Sequence, residues 1–252
     1  MIQRSTNGDG GLGLFGSVIL VSHSIMAAPV LELTGVTKNY GALRPLRVEH
    51  FVLSAGDQVA LMGLDQPATE VLINLLTGAS LPDTGEIRIF GRPTSEITDS
   101  TDWLATLDRF GIVSERAALL EPMTVIQNMA VPFSLDIEPP PPDVVRQATA
   151  LATAAGLPES TWEKRVGDLD AASRMRLRLG RALAFEPGVL LLEHASASLL
   201  REQVVPFGVD VRMLAERRAI ATLAITADAE FAGAVSAVAL AVEAATGRLR
   251  RL

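Results

Sequence analysis

The chain holds no cysteine, which excludes disulfides, thiolate metal sites and cysteine nucleophiles together and fits a reducing compartment. Its histidines, His23, His50 and His194, lie far apart in sequence and give a histidine-built metal centre nothing to work with. Aromatic residues make up 4% of the 252 residues, so Ala, Val and Leu must fill the core. Long hydrophobic runs are lacking as well, since none reaches the roughly 18–20 residues that cross a bilayer. The nearest, residues 12–21, has two readings. One is a secretory signal whose leading region carries Arg4 against Asp9. The other, favoured because patterned sequence begins just after Met26, is an extension upstream of a start at that residue, so that residues 1–29 precede a domain at 30–252. An excess of positive charge is missing too. Twenty-two Lys and Arg against 29 Asp and Glu leave a net charge of -7, which argues against a nucleic-acid partner; Arg248, Arg250 and Arg251 are too few to reverse it. What is present, 48% hydrophobic and 20% charged residues, suffices for a full core.

Residues 30–36 and 48–53 alternate apolar and polar side chains, as strands with one buried face do. Residues 58–62 form a short apolar run ending at Gly63. An amphipathic stretch over 68–76 comes next and Gly78 closes it, which reads as strand, tight turn and helix. Further strands are expected at 86–90 and 110–113. Helical periodicity then takes over at 124–131, 143–155 and 173–185, and the prolines at 139–142 make a stiff, extended break between two of these helices. Strands return at 189–193, 220–226 and 237–242, with a helix at 201–218. Their nearly unbroken apolar character suits a parallel sheet covered on both faces. Trp103 and Trp162 read as packing residues. Arg174, Arg176, Arg178 and Arg181 read as the solvated face of a helix.

With this order in place, the chain resembles the ATP-binding cassette of ABC transporters over residues 30–252. Leu33-Thr34-Gly35-Val36-Thr37-Lys38-Asn39-Tyr40-Gly41 is similar to the family's first strand and adenine-stacking loop, with Tyr40 in the aromatic place. Ala55-Gly56-Asp57-Gln58-Val59-Ala60-Leu61-Met62-Gly63 resembles the strand entering the phosphate loop. Leu72-Ile73-Asn74-Leu75-Leu76-Thr77-Gly78 and Pro82-Asp83-Thr84-Gly85-Glu86-Ile87 resemble the family's segments after that loop. Leu183-Ala184-Phe185-Glu186-Pro187 and Val189-Leu190-Leu191-Leu192 resemble the approach to the second nucleotide motif. The resemblance implies an α/β fold of the P-loop NTPase type: a mostly parallel central sheet, an antiparallel β part and a helical insertion over about 116–182.

The segments that should carry chemistry depart from the family. The phosphate loop pattern GxxxxGK[ST] places backbone N–H groups around phosphates and a Lys on the outer ones. Here the stretch is Gly63-Leu64-Asp65-Gln66-Pro67-Ala68-Thr69-Glu70. Ala68 replaces the second Gly, Thr69 the Lys and Glu70 the Mg²⁺-holding hydroxyl residue, while Pro67 removes an N–H donor. A charge pair at about 4 Å is worth roughly 4 kcal/mol at an effective dielectric near 20, so losing the Lys weakens nucleotide binding about a thousandfold. Glu70, with Thr69 or Asp65, is expected to cap the helix internally in place of a phosphate; an ordinary first-turn glutamate is the alternative, and both leave no anion site. Glu115 stands where the resemblance implies a metal-sensing Gln, either as a ligand or as a solvated loop residue. The signature segment is Leu169-Asp170-Ala171-Ala172-Ser173, with Asp170 where a Ser hydroxyl should meet phosphate. The second nucleotide motif ends in Glu193-His194 in place of Asp-Glu; Glu193 as a metal ligand and His194 as a base stand against His194 as a lone polar residue after a buried strand. Ala227 stands where the switch histidine is expected, although Asp228 persists.

No catalytic residue and no metal site is assigned on this reading, and any ATP or Mg²⁺ would bind weakly. The function expected is that of a catalytically degenerate cassette, a pseudo-ATPase. It would dock at the cytoplasmic face of the inner membrane on a transmembrane permease subunit, through residues around 123–135, and pair with a second cassette. Because phosphate loop and signature are both altered, even an intact partner cassette would complete no composite site. Two alternatives remain: a working ATPase using Tyr40, Glu115, Glu193 and His194, and a soluble regulatory module on the same fold.

Overall fold

The computed structural model describes residues 27–252; the apolar run at 12–21 and the start at Met26 lie outside the described residues. In chain order the elements are β1 (Pro29–Lys38), β2 (Leu46–Ser54), β3 (Gln58–Met62), α1 (Gln66–Leu76), β4 (Thr84–Ile89), β5 (Arg92–Pro93), α2 (Ser100–Leu107) and β6 (Phe110–Ser114). Next come α3 (Val125–Ala130), α4 (Pro142–Ala154), α5 (Ala171–Ala182), β7 (Val189–Glu193), α6 (Arg201–Arg218), β8 (Ala221–Ile225), α7 (Ala229–Val235), β9 (Val238–Val242) and β10 (Leu249–Arg251).

Two sheets result. The first has the order β2-β1-β4-β5 and is antiparallel; the second has the order β10-β9-β3-β8-β7-β6. In the second, β9, β3, β8, β7 and β6 run parallel and only the pairing of β10 with β9 is antiparallel. The apolar runs produce this arrangement because consecutive strand residues point to opposite faces and both faces are covered. Val189 and Leu191 of β7 join a core cluster with α1 and the antiparallel sheet. Leu190 and Leu192 join a second cluster built from α3, α4, α5, α6 and α7. Ala60 of β3 and Ala224 of β8 face the helical side, and Val59, Leu61, Leu223 and Ile225 face the other.

The helical insertion hangs on the loop after β6. Thr124 opens α3 with a capping box: its Oγ accepts the Gln127 N–H at 3.2 Å, and the Gln127 side chain accepts the Thr124 N–H at 2.8 Å. Val125, Ile126 and Met129 are buried in the core, whereas Met123, Val131 and Phe133 are half-buried. Trp103 and Trp162 are packing residues whose indole N–H groups donate to the Thr77 and Leu157 carbonyls. The short elements α2, α7, β5 and β10 have no counterpart among the sequence expectations. Two of them are marked by caps: Asp99 opens α2 and Asp228 opens α7.

The arginines of α5 differ from the expected solvated face. Arg178 donates to the Ala117 and Glu115 carbonyls, Arg181 to the Ala118 carbonyl, and Arg176 to the Ala155 carbonyl. Arg174 donates to the carbonyls of Leu169 and Gly167 and to Glu121. The reason is that loops offer carbonyls that no ladder satisfies, and a guanidinium carries five donors to meet them. Burial pushes the Arg178 and Arg181 guanidinium pKa values down from their ordinary level, consistent with their position against the 115–118 loop.

Candidate functional site

At the end of β3 the chain turns through Gly63 at φ +91°. A Cβ there would sit 3.0 Å from the Val242 carbonyl oxygen of β9. Gly63 is therefore required by backbone geometry, whatever the loop binds. Asp65 then opens α1: its Oδ1 accepts the Ala68 N–H at 2.9 Å, and its carbonyl accepts the Thr69 N–H at 2.9 Å and the Thr69 hydroxyl at 2.8 Å. The internal cap is thus Asp65 with Thr69, and the expectation that Glu70 caps the helix is corrected. An N-cap carboxylate reaches the third N–H of the helix, whereas Glu70 lies a full turn further on.

Glu70 turns to charged neighbours. Glu193, the last residue of β7, has a side chain 1% exposed. Its Oε1 accepts from Gln66 Nε2 at 2.7 Å, and its Oε2 accepts from Arg116 Nη2 at 3.0 Å and Nε at 3.2 Å. Arg116 Nη1 lies 3.3 Å from Glu70 Oε2, and Gln66 Nε2 also donates to Glu70 Oε1 at 3.2 Å. Gln66, Glu70, Arg116 and Glu193 close a ring between α1, the loop after β6 and the end of β7. Arg116 is the residue that sequence reasoning missed. No stretch of sequence signals it, because positions 70, 116 and 193 meet only in the fold.

His194 comes next at φ +44°, and its Nε2 is 3.1 Å from Thr69 Oγ1. Since the Thr69 hydroxyl gives its hydrogen to the Asp65 carbonyl, it accepts from His194, whose Nε2 therefore carries the proton. The reading of His194 as a lone polar residue is corrected on this contact. Thr69, in the place of the lysine, is fully buried.

The remaining candidates spread out. Tyr40 is half-buried, and its phenol is pushed up by burial and then by the negative charge of Asp65. Glu115 is exposed and offers its carbonyl, not its carboxylate, to Arg178. Asp170 caps α5 by accepting the Ser173 N–H at 2.7 Å. That places Leu169, Asp170, Ala171, Ala172 and Ser173 at the start of a helix of the insertion, outside the ring. Ala227 precedes Asp228, which caps α7 and pairs with Arg201 at 2.8 Å.

These residues do not fit the divalent metal that the fold family implies. Both oxygens of Glu193 are engaged, one by an amide and one by a guanidinium. Among the described residues no three His, Asp or Glu side chains gather to hold a metal ion. What the arrangement can do chemically is pair a buried carboxylate with fixed donors and close the N-terminal turn of α1 with its own side chains.

The family model described as "ABC transporter" matches residues 46–197. A ribose import ATP-binding protein of Rhizobium etli is 31% identical over 69% of this chain and 34% of its own length. A sulfate/thiosulfate import ATP-binding protein of Methylococcus capsulatus is 29% identical over 67% of this chain and 47% of its own length. The chain thus spans about a third to a half of the length of these relatives. Among solved structures, a dimeric bacterial ABC transporter cassette superposes with a TM-score of 0.72 at 19% identity, covering 88% of this chain and 98% of that one. CbiO1 of Clostridium perfringens, part of an ABC transporter complex, gives 0.74 at 18% identity over 88% and 87%. These two show the fold of a cassette, and the family model matches more than half of the residues: the chain belongs to the ABC transporter family.

Proposed function

We propose that this cassette is a catalytically silent subunit, a pseudo-ATPase that serves as the structural partner of a transmembrane permease and of a second cassette at the cytoplasmic face of the membrane. The observation that carries the reading is the ring around Glu193. A guanidinium and an amide occupy the carboxylate that a nucleotide-bound metal would need, and Asp65 and Thr69 close the helix N-terminus that phosphates would need. Phosphoryl transfer rests on positioning and charge stabilisation, and the loop at 63–70 offers two acids and no base. The curated relatives are named as import ATP-binding proteins, which supports a transport setting. Among the described residues no helix is long and apolar enough to cross a membrane, so a separate permease supplies the membrane part on this reading.

The test is calorimetric titration of the full chain with Mg-ATP, together with an ATPase assay of the wild type and of Glu193→Ala. The expected outcome is no saturable heat at millimolar nucleotide and the same background turnover in both proteins. Saturable binding with turnover that Glu193→Ala abolishes would overturn the reading in favour of a working ATPase.

A further inference from the structure

Resting on the reading just given, we infer that the Glu70 and Glu193 carboxylates form a cation seat whose resident cation is the side chain of Arg116, a covalently tethered replacement for a free divalent ion. The argument starts from burial. The Glu193 side chain is 1% exposed, and a carboxylate held that far from water is tolerated only if opposite charge and hydrogen bonds meet it. Arg116 meets it with two N–H groups and reaches Glu70 with a third nitrogen. Two carboxylates converging on one positive group supply two of the oxygen donors that a hard divalent cation takes, and as the site stands the guanidinium fills that place. The amide of Gln66 lies between the same two carboxylates and donates to both.

A second set of contacts fixes the loop that carries Arg116. Its own N–H donates to Ser114 Oγ at 3.1 Å. The carbonyls on either side of it, Glu115 and Ala117, accept from Arg178, and Ala118 accepts from Arg181. The guanidinium is therefore delivered from a loop braced against α5.

Removing the guanidinium leaves a buried, uncompensated carboxylate facing a second one, and a divalent ion is then the species that restores balance. The experiment titrates the full-length wild type and Arg116→Ala with Mn²⁺, followed by electron paramagnetic resonance of the free ion and by thermal unfolding. The wild type should take up no Mn²⁺ at this seat, and its Tm should not move. The alanine variant should lose about 5 °C in Tm, recover part of it in Mn²⁺, and bind one ion per chain. Adding Glu70→Gln to that variant should weaken this uptake at least tenfold, which separates the seat from weak surface binding. Should the alanine variant fail to fold, Arg116→Gln carries the same test, because it removes the charge and keeps a hydrogen-bonding side chain. Absence of Mn²⁺ uptake by both single variants overturns the inference, as does uptake indifferent to Glu70→Gln. Mn²⁺ binding by the wild type in the presence of ATP overturns the proposed function instead, so the two failures are distinguishable.

Discussion

Asp65 is held by its own helix, with Oδ1 accepting the Ala68 N–H and its carbonyl accepting the Thr69 hydroxyl. Replacing an N-cap aspartate by alanine costs about 1 kcal/mol, so Asp65→Ala should lower Tm by about 2–4 °C and leave nucleotide affinity unchanged. A rise in nucleotide affinity on removing this acid would show that Asp65 repels phosphate rather than capping the helix. The Thr69–His194 contact predicts a further loss. Thr69→Val removes the acceptor of the His194 N–H inside a buried turn and should cost about 1–3 kcal/mol, read by chemical denaturation. Asp83 behaves differently because it is exposed. The Asn39 N–H and then Lys38 hold its carboxyl below the ordinary carboxylate value. A folded pKa below the unfolded one gives stability that is present above the unfolded value and lost as pH falls through the folded one. The Tm difference between wild type and Asp83→Asn should therefore shrink as pH drops from 6 toward about 3. Arg116 shows why single residues of a site escape sequence reading. The resemblance points to position 115, where a metal-sensing residue is implied, and says nothing of its neighbour, whose role exists only once β6 and β7 bring 116 and 193 together.

At the scale of elements, α5 is the brace of the insertion. It packs against β6 so closely that a Cβ on Gly111 would lie 2.5 Å from the Ala182 carbonyl oxygen. Gly111→Ala must push strand and helix apart, and a loss of about 2–3 kcal/mol in denaturant unfolding is the expected outcome. The arginines of α5 predict a local effect instead. Arg178→Ala removes the donors to the 115 and 117 carbonyls, and amide hydrogen exchange of residues 114–121 should rise with the exchange of β7 unchanged. If exchange rises equally throughout, the contact is ordinary core packing and not a brace. The helix itself was legible, because Met175, Leu179 and Leu183, four residues apart, mark a buried stripe. Its arginines were not, because spacing along a helix says which face a residue takes and nothing about the loop that covers that face. The short helices α2 and α7 were missed for a related reason. With eight and seven residues they hold too few turns for periodicity to register, although Asp99 and Asp228 stand where a capping residue belongs.

For the whole molecule, the main architecture was readable because parallel strands buried on both faces are written as runs of Val, Leu, Ile and Ala. Those at 189–193 and 221–225 have no exposed residue. The first two strands of the antiparallel sheet were readable from alternation, while their antiparallel pairing was implied by the resemblance alone. Strand β1 places Leu31 and Leu33 on the core while Thr34 stays exposed. The site was legible only as departures from the resemblance, with Ala68 and Thr69 standing where it implies the second glycine and the lysine of the loop. The ring itself depends on three elements meeting, and that lies beyond any single stretch of sequence. One consequence concerns how such a subunit responds to its surroundings. A free ion exchanges with its pool, so chelators and fluctuating mineral supply strip it away. A positive group anchored to the backbone has no pool, and when its ion pair opens it stays at high effective concentration beside the same carboxylates. With Arg116 as the resident cation, Tm should accordingly be the same with and without EDTA, and a change in either direction would show an exchangeable ion at this junction.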